Sequence, residues 1–284
     1  EWFHTGSWPH DEVDFSGKKI GIIGTGSSGI QAIPILAEQA AELKVFQRTA
    51  QFSTPARNGP MDKRYEAKIK AEYAAFRARN YRQPVAMDIV IDRSSPKTFE
   101  VSAAERFATY ERCWESGGLS FSVAYRDSSV NREANEDVSD FIRAKITEIV
   151  DDPQTAQALQ PPHIYACKRP CLDTNYFETY NRANVTLVDV SESGVERITH
   201  QGLVANGVEH ELDCIVFATG FDAFTGSLNR IDIRGRNQLA LKEKWSAGPR
   251  SYLGLQSAEF PNLFTVTGPG SPSVLANMVV AIEQ

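Results

Sequence analysis

The sequence predicts an α/β fold organised on parallel strands, and three neighbouring observations predict it. Lys18-Lys19-Ile20-Gly21-Ile22-Ile23 is a short apolar run after a polar start, the pattern of a buried strand. Gly24-Thr25-Gly26-Ser27-Ser28-Gly29 follows at once and leads into a helical stretch from Ile30 to Glu42. A second strand pattern, Leu43-Lys44-Val45-Phe46-Gln47, ends at Arg48-Thr49. Strand, Gly-x-Gly-x-x-Gly, helix, strand is the Rossmann-like dinucleotide-binding unit, met here in the structural context that gives the motif its meaning. Gly24 allows the tight turn, Gly26 lets the backbone approach a pyrophosphate, and Gly29 lets the helix pack against the strand. The diphosphate then rests on the N–H groups that open the helix. The candidate contacts are Gly24, Thr25, Gly26, Ser27, Ser28 and Gly29, with Gln31 just beyond them.

The end of the second strand selects the cofactor. An NAD site wants an Asp or Glu about 20 residues past the glycines, to hold the ribose 2′-hydroxyl. Gln47-Arg48-Thr49 stands there without an acid. A guanidinium fork and a hydroxyl suit a 2′-phosphate, which a carboxylate would repel. The expected cofactor is NADP(H), with Arg48 and Thr49 on its phosphate.

The chain has 284 residues, 42% hydrophobic and 23% charged, which suits a globular protein of one large or two modest domains. A net charge of −6 argues against nucleic acid or an anionic membrane as partner. No apolar run approaches the roughly 20 residues that span a bilayer. Cys113, Cys167, Cys171 and Cys214 form no Cys-x-x-Cys. His163, Cys167 and Cys171 have loose metal-ligand spacing, but Pro170 stiffens that turn and no fourth ligand is evident. The expectation is free thiols in the cytoplasm and no metal.

Along the chain, residues 9–16 read as an acidic loop and 52–60 as a Pro- and Gly-rich loop over the nucleotide. Tyr65, Ile69, Tyr73 and Phe76 mark an amphipathic helix from Met61 to about Asn80. Ser102 and Glu105 form a capping box for a helix to about Trp114, which Gly117-Gly118 breaks. A helix covers 135–150, and another starts at Asp152-Pro153. Residues 61–160 therefore read as a helical insertion. The α/β pattern then resumes with a short helix over Tyr176–Arg182, a strand over Val185–Asp189 and a hairpin at Asn206-Gly207. A buried strand runs from Ile215 towards Gly220-Phe221-Asp222, a strand covers Leu263–Val266, and a helix begins at Val274. The expected domains are a linker over 1–16, a nucleotide-binding domain over 17–60 and 161–220, the insertion, and a further piece over 221–284.

These residues resemble the flavin-dependent Baeyer–Villiger monooxygenases of the cyclohexanone monooxygenase type. That family's fingerprint, Phe-x-Gly-x-x-x-His-x-x-x-Trp-Pro, has its last nine positions in Glu1–Pro9, with His4, Trp8 and Pro9 in register. Gly24 to Gly29, Phe46 to Thr49, Lys168-Arg169-Pro170, Ala218 to Asp222 and Gly268 to Pro272 match in order and approximate spacing. The resemblance implies oxygen insertion beside the carbonyl of a small ketone, giving an ester or lactone, with NADPH, FAD and O2. An anionic peroxide that collapses through an oxyanion needs a fixed cation in a site that excludes water. By resemblance Arg169 is that catalytic cation, and Lys168 joins Arg48 and Thr49 around the 2′-phosphate. The resemblance also assigns Ala218, Thr219, Gly220 and Met278 to cofactor binding, with Met278 and the Gly268 to Pro272 turn facing the flavin. His4 and Trp8 read as a hinge and not as a catalytic base.

The family's own FAD-binding Gly-x-Gly-x-x-Gly unit and its C-terminal segment have no counterpart in the chain. The expectation is a fragment: the NADP-binding domain, the helical insertion and a returning part of the FAD-binding domain, with the FAD-binding portion of a longer parent as partner. Taken without the resemblance, Lys168-Arg169 is a basic turn that caps a helix. Two further functions stay open: a relative that oxidises nitrogen or sulfur, and an NADP(H)-binding module without turnover.

Overall fold

The computed structural model describes residues 1–83, 85–87, 94–271 and 276–283. A three-residue strand, β1 (Trp2–His4), precedes the expected β2 (Lys19–Ile23), α1 (Ser27–Gln39) and β3 (Glu42–Gln47). Then come β4 (Ser53–Pro55), α2 (Lys63–Ala71), α3 (Tyr73–Arg82), α4 (Ala103–Ser116), α5 (Arg132–Ile149) and α6 (Pro153–Ala158). The strands continue with β5 (Cys171–Asp173), β6 (Val185–Asp189), β7 (Val195–Ile198), β8 (Gly202–Ala205), β9 (Val208–Glu211) and β10 (Cys214–Phe217). Short helices α7 (Gly226–Asn229), α8 (Leu241–Lys244) and α9 (Met278–Glu283) complete the chain. By contacts it divides into two compact units, Glu1–Gly59 with Asp92–Gly220, and Pro60–Ile91 with Phe221–Gln284. The helical stretch at 61–160 is thus shared between them: α2 and α3 belong with the C-terminal residues, and α4, α5 and α6 with the first unit.

In the first unit five strands form a parallel sheet in the order β1-β10-β2-β3-β6. One face packs Ile20, Ile22, Leu43, Val45 and Val216 against Ile30, Ile33, Leu36 and Ala37 of α1. The other face carries Phe46 and Ile215, which pack with Leu203 and Ala205 of the antiparallel sheet β7-β8-β9. Burial on both faces is why these strands read as apolar runs and not as alternating ones. The β8–β9 turn is Asn206-Gly207, with φ of 53° and 71°, the hand a two-residue hairpin needs.

Ser102 and Glu105 form the expected capping box at α4, and Gly117 ends that helix at φ +68°. Asn131 caps α5, and Asp152 caps α6 with Pro153 in its first turn. Around α4 and α5 lies an aromatic cluster of Phe52, Tyr110, Phe121, Phe141 and Tyr165. The short helix expected over Tyr176–Arg182 is a single 3-10 turn, Glu178–Asn181. Trp8 packs on Phe3 and Phe15 inside this unit.

In the second unit Leu241, Trp245 and Phe260 form a small core with Leu228, Ile233, Leu239 and Leu263. The strand expected at Leu263–Val266 does not form. Thr265 instead bonds back to the Gly254–Leu255 turn through its N–H and hydroxyl, and Thr267 sits at φ +51°, which no extended strand tolerates. The start of the helix expected from Val274 lies outside the described residues; the helix spans Met278–Glu283.

Candidate functional site

The backbone leaves β2 at Ile23, turns through Gly24 to Gly26 and enters α1 at Ser27. The Gly24 N–H donates to Phe46 O (3.0 Å) and the Ala218 N–H to Ile23 O (2.9 Å), so the ends of β3 and β10 brace the turn. Gly24 has φ +105°, and a Cβ there would lie 2.5 Å from Ala218 O. A Cβ at Gly29 would lie 2.2 Å from Gly24 O. The fold itself excludes side chains at both positions. Gly26 is different: its Cβ would meet nothing within 4 Å. The buried Thr25 hydroxyl donates to Thr49 O (3.2 Å), which ties the turn to the residues after β3. Helix α1 opens with no side-chain cap and no acid in its first turn, so its positive end is left bare.

A groove of about 410 Å³ lies against this turn. Gly24, Thr25, Gly26, Ala218, Thr219 and Gly220 line it, together with Arg48, Thr49, Gln51 and Lys168; among the described residues no Asp or Glu does. A second groove of about 430 Å³ shares Gly26 and Gln51 with the first and is lined also by Ser27, Gln31, Arg169, Pro170 and Leu172. Lys168 and Arg169, adjacent in sequence, therefore serve two adjoining grooves. Gly29 is buried behind the turn and Ser28 is exposed on the first turn of α1. Met278 belongs to α9 of the second unit, as does the turn at Gly268; Pro272 lies outside the described residues.

Sequence reasoning missed the elements that place the two basic residues. Strands β4 and β5 pair in parallel, with Ser53 opposite Cys171 and Pro55 opposite Asp173, in a stretch that reads as coil. Because the pair is parallel, the residues before each strand emerge at the same end: Gln51 before β4, and Lys168 and Arg169 before β5. Upstream, the Tyr165 N–H donates to Ser139 Oγ (3.2 Å) and Asn135 Nδ2 donates to Tyr165 O (3.0 Å), both partners being buried on α5. The Tyr165 ring meets Phe52 edge-on at 5.5 Å. The basic loop is thus strung between α5 and β4. Gln51 was also missed; its one sequence signal is a place three residues after Arg48.

Burial, then the cations Lys168 and Arg143, hold the His163 imidazole below its ordinary value. Burial pushes the Cys171 thiol up to about 11, with the Asp173 charge adding to it. His4 accepts a hydrogen bond from the Gly6 N–H at Nδ1 (3.0 Å), and its Nε2 lies 3.5 Å from Thr219 Oγ1 in the groove wall. Among the described residues no group of three or more His, Cys, Asp or Glu is placed to hold a metal, and no helix is long and apolar enough to cross a membrane.

The groove fits an NADP-type nucleotide: a bare helix start for the pyrophosphate, open space at Gly26, and two cations with no carboxylate at the far wall. FAD fits only in part. The chain holds a single Gly-x-Gly-x-x-Gly unit, and the described residues form no second cradle of this kind.

No family model matches the chain. It is 42% identical over 288 residues to 2-oxo-Δ3-4,5,5-trimethylcyclopentenylacetyl-CoA monooxygenase of Pseudomonas putida, covering 99% of this chain and 52% of that one. It is 42% identical to the cyclohexanone 1,2-monooxygenase of an Acinetobacter species, covering 100% of this chain and 52% of the relative. Phenazine N-monooxygenase of Lysobacter antibioticus is also 42% identical, over 99% of this chain and 51% of its own length. Among solved structures, an oxidised steroid monooxygenase bound to NADP superposes with a TM-score of 0.91 at 48% identity, covering 100% of this chain and 54% of its own. OTEMO in complex with FAD and NADP superposes with a TM-score of 0.95 at 41% identity, with the same two coverages. Along nearly its whole length the chain is similar to monooxygenases, among them a Baeyer–Villiger monooxygenase of Pseudooceanicola batsensis at 40% identity, and it spans about half the length of the curated relatives it matches.

Proposed function

We propose that this chain is the NADPH-binding portion of an FAD-dependent monooxygenase that inserts one oxygen of O2 beside the carbonyl of a small ketone, giving an ester or lactone. The observation that carries the reading is the acid-free groove in which Arg48, Thr49 and Lys168 stand beside Gly26. In it the first turn of α1 holds the pyrophosphate, and the Arg48 fork, the Thr49 hydroxyl and Lys168 hold the 2′-phosphate. Ala218, Thr219 and Gly220 form the wall that backs the nucleotide. NADPH and FAD, when bound, supply the electrons and the activation of O2. Arg169 supplies a permanent positive charge in the adjoining groove, where it stabilises negative charge on the reacting oxygen without exchanging its own proton. Met278 and the turn at Gly268 contribute the chain's share of the flavin site; we place the rest of that site in the length by which the relatives exceed this chain. Free thiols at all four cysteines suit a cytoplasmic setting.

The test is product analysis. The chain, joined to the length by which its relatives exceed it, is supplied with FAD, NADPH and O2 and offered cyclic and linear ketones; esters or lactones are the expected products. NADPH binding without any ester from the panel would remove the ketone reading. A second reading has its own support, since one relative at 42% identity is named a phenazine N-monooxygenase. Aromatic N-heterocycles therefore belong in the same panel, and N-oxides without esters would favour that reading. NADPH binding with no oxidation of NADPH at any FAD concentration would leave a binding module.

A further inference from the structure

Asp173 is buried (7% exposed) at the end of a three-residue strand, where no part of the proposed chemistry uses it. A buried carboxyl costs free energy unless its hydrogen bonds justify it. Asp173 has two: Ser53 Oγ donates to one oxygen at 2.5 Å, and the Tyr176 N–H donates to the other at 3.3 Å. Ser53, fully buried, lies on β4 opposite Cys171, so its bond to Asp173 runs diagonally across the strand pair. Backbone bonds hold the same pair at both ends, Cys171 N–H to Phe52 O (2.8 Å) and Ala56 N–H to Asp173 O (2.7 Å). Two strands of three residues offer few backbone hydrogen bonds with which to fix a register. The Ser53 hydroxyl, which also lies 3.3 Å from Cys171 O, adds a side-chain cross-link specific to this register.

The register matters because Lys168 and Arg169 emerge directly before β5. A slip of one residue would move them by about 3.3 Å, more than the whole range of distances over which a hydrogen bond to a phosphate survives. We propose that Asp173, through its hydrogen bond with Ser53, is a positioning residue that sets where Lys168 stands in the groove, and thereby sets the preference for NADPH over NADH. This rests on the NADP(H) assignment made above. Arg57 and Glu178 are the other charged groups that act on Asp173, and neither lines the Lys168 groove.

The experiment measures NADPH and NADH dissociation constants on the full chain by titration calorimetry, for the parent, Asp173→Ala, Asp173→Asn, Ser53→Ala and Lys168→Ala. The expected result is that Asp173→Ala and Ser53→Ala each lower the NADPH/NADH preference by about tenfold, equivalent to 1.4 kcal/mol. Asp173→Asn keeps an acceptor for Ser53 and should fall between them and the parent. Loss of both nucleotides in parallel would mean that Asp173 serves folding alone, and the proposal would fall. An unchanged preference in Ser53→Ala, while Lys168→Ala loses it, would equally overturn it. If Lys168→Ala itself keeps its preference, the 2′-phosphate assignment fails instead. Should Asp173→Ala not fold, Ser53→Ala breaks the same bond from the strand opposite, and its ratio decides.

Discussion

Gly26 and Gly29 belong to one motif, yet the structure gives them opposite duties, and substitution with alanine separates them. A methyl at Gly29 would sit 2.2 Å from the Gly24 carbonyl oxygen, so α1 or the turn must shift. Overpacking of this kind costs typically 1–3 kcal/mol. A methyl at Gly26 meets no atom within 4 Å. The backbone there, φ −81° and ψ −174°, is ordinary extended geometry that alanine adopts. Alanine is a poorer helix N-cap than glycine but restricts the unfolded chain more; both effects are below about 1 kcal/mol and oppose each other. Gly26→Ala should therefore melt within about 3 °C of the parent. Its methyl would occupy the space over the first turn of α1, where we propose the pyrophosphate lies. Losing one or two charge-assisted hydrogen bonds costs about 3 kcal/mol, roughly 100-fold in NADPH affinity. Gly29→Ala should show the reverse pattern, a Tm several degrees lower with binding impaired only as far as the fold is. Thermal melts and fluorescence titrations with NADPH read both. Tight NADPH binding by a well-folded Gly26→Ala chain would refute the placement of the pyrophosphate.

Arg48→Ala combined with Lys168→Ala should weaken NADPH far more than NADH, and equal losses would sink the 2′-phosphate assignment. Arg169→Ala in the flavin-loaded protein should abolish ester formation while NADPH binding changes by a much smaller factor; esters at near-normal rate would exclude Arg169 as the oxyanion partner. Cys167 is exposed and the other three thiols are buried, and burial pushes Cys171 and Cys214 up to about 11. A thiol whose folded value lies above its unfolded value of about 8.5 contributes stability that is complete below that pH and is lost as pH rises towards the folded value. One thiol should react quickly with a disulfide reagent at pH 8, three more only after denaturation, and Tm should decline between about pH 9 and 11; four fast thiols would contradict the buried placement.

The parts of this site that are local in sequence were legible from it. Strand, glycine turn, helix and strand occupy 18–49 without interruption, and each signals its neighbour. Arg48 and Thr49 follow by counting. The parts that depend on pairing over long distances were not. Strands β4 and β5 join residues more than 100 positions apart, and three residues carry no readable period. Likewise β1, read as linker, is a strand only because β10 offers it an edge. Leu263–Val266 shows the converse error: an apolar segment with strand composition whose N–H and hydroxyl groups found a nearby turn instead. Lys168 and Arg169 were legible only through the family resemblance, since a two-residue basic turn has no chemistry of its own until the fold supplies its neighbours.

Why those two cations are adjacent in sequence follows from the backbone that carries them. Pro170 disfavours helical geometry at Arg169, and Lys168 sits in the bend just before it. Two consecutive basic residues before a proline line two different grooves, Lys168 one and Arg169 the other. Gly26 and Gln51 belong to both grooves, so the partition falls at the bare start of α1, where the pyrophosphate is proposed to lie. A dinucleotide has its 2′-phosphate on one side of its pyrophosphate and its nicotinamide on the other. The Lys168 groove, with Arg48 and Thr49, has the chemistry of the phosphate side, and we propose that the Arg169 groove takes the nicotinamide side. On this reading one tripeptide, held by β4 and α5, couples recognition of the cofactor's tail to the charge that acts at its reactive end.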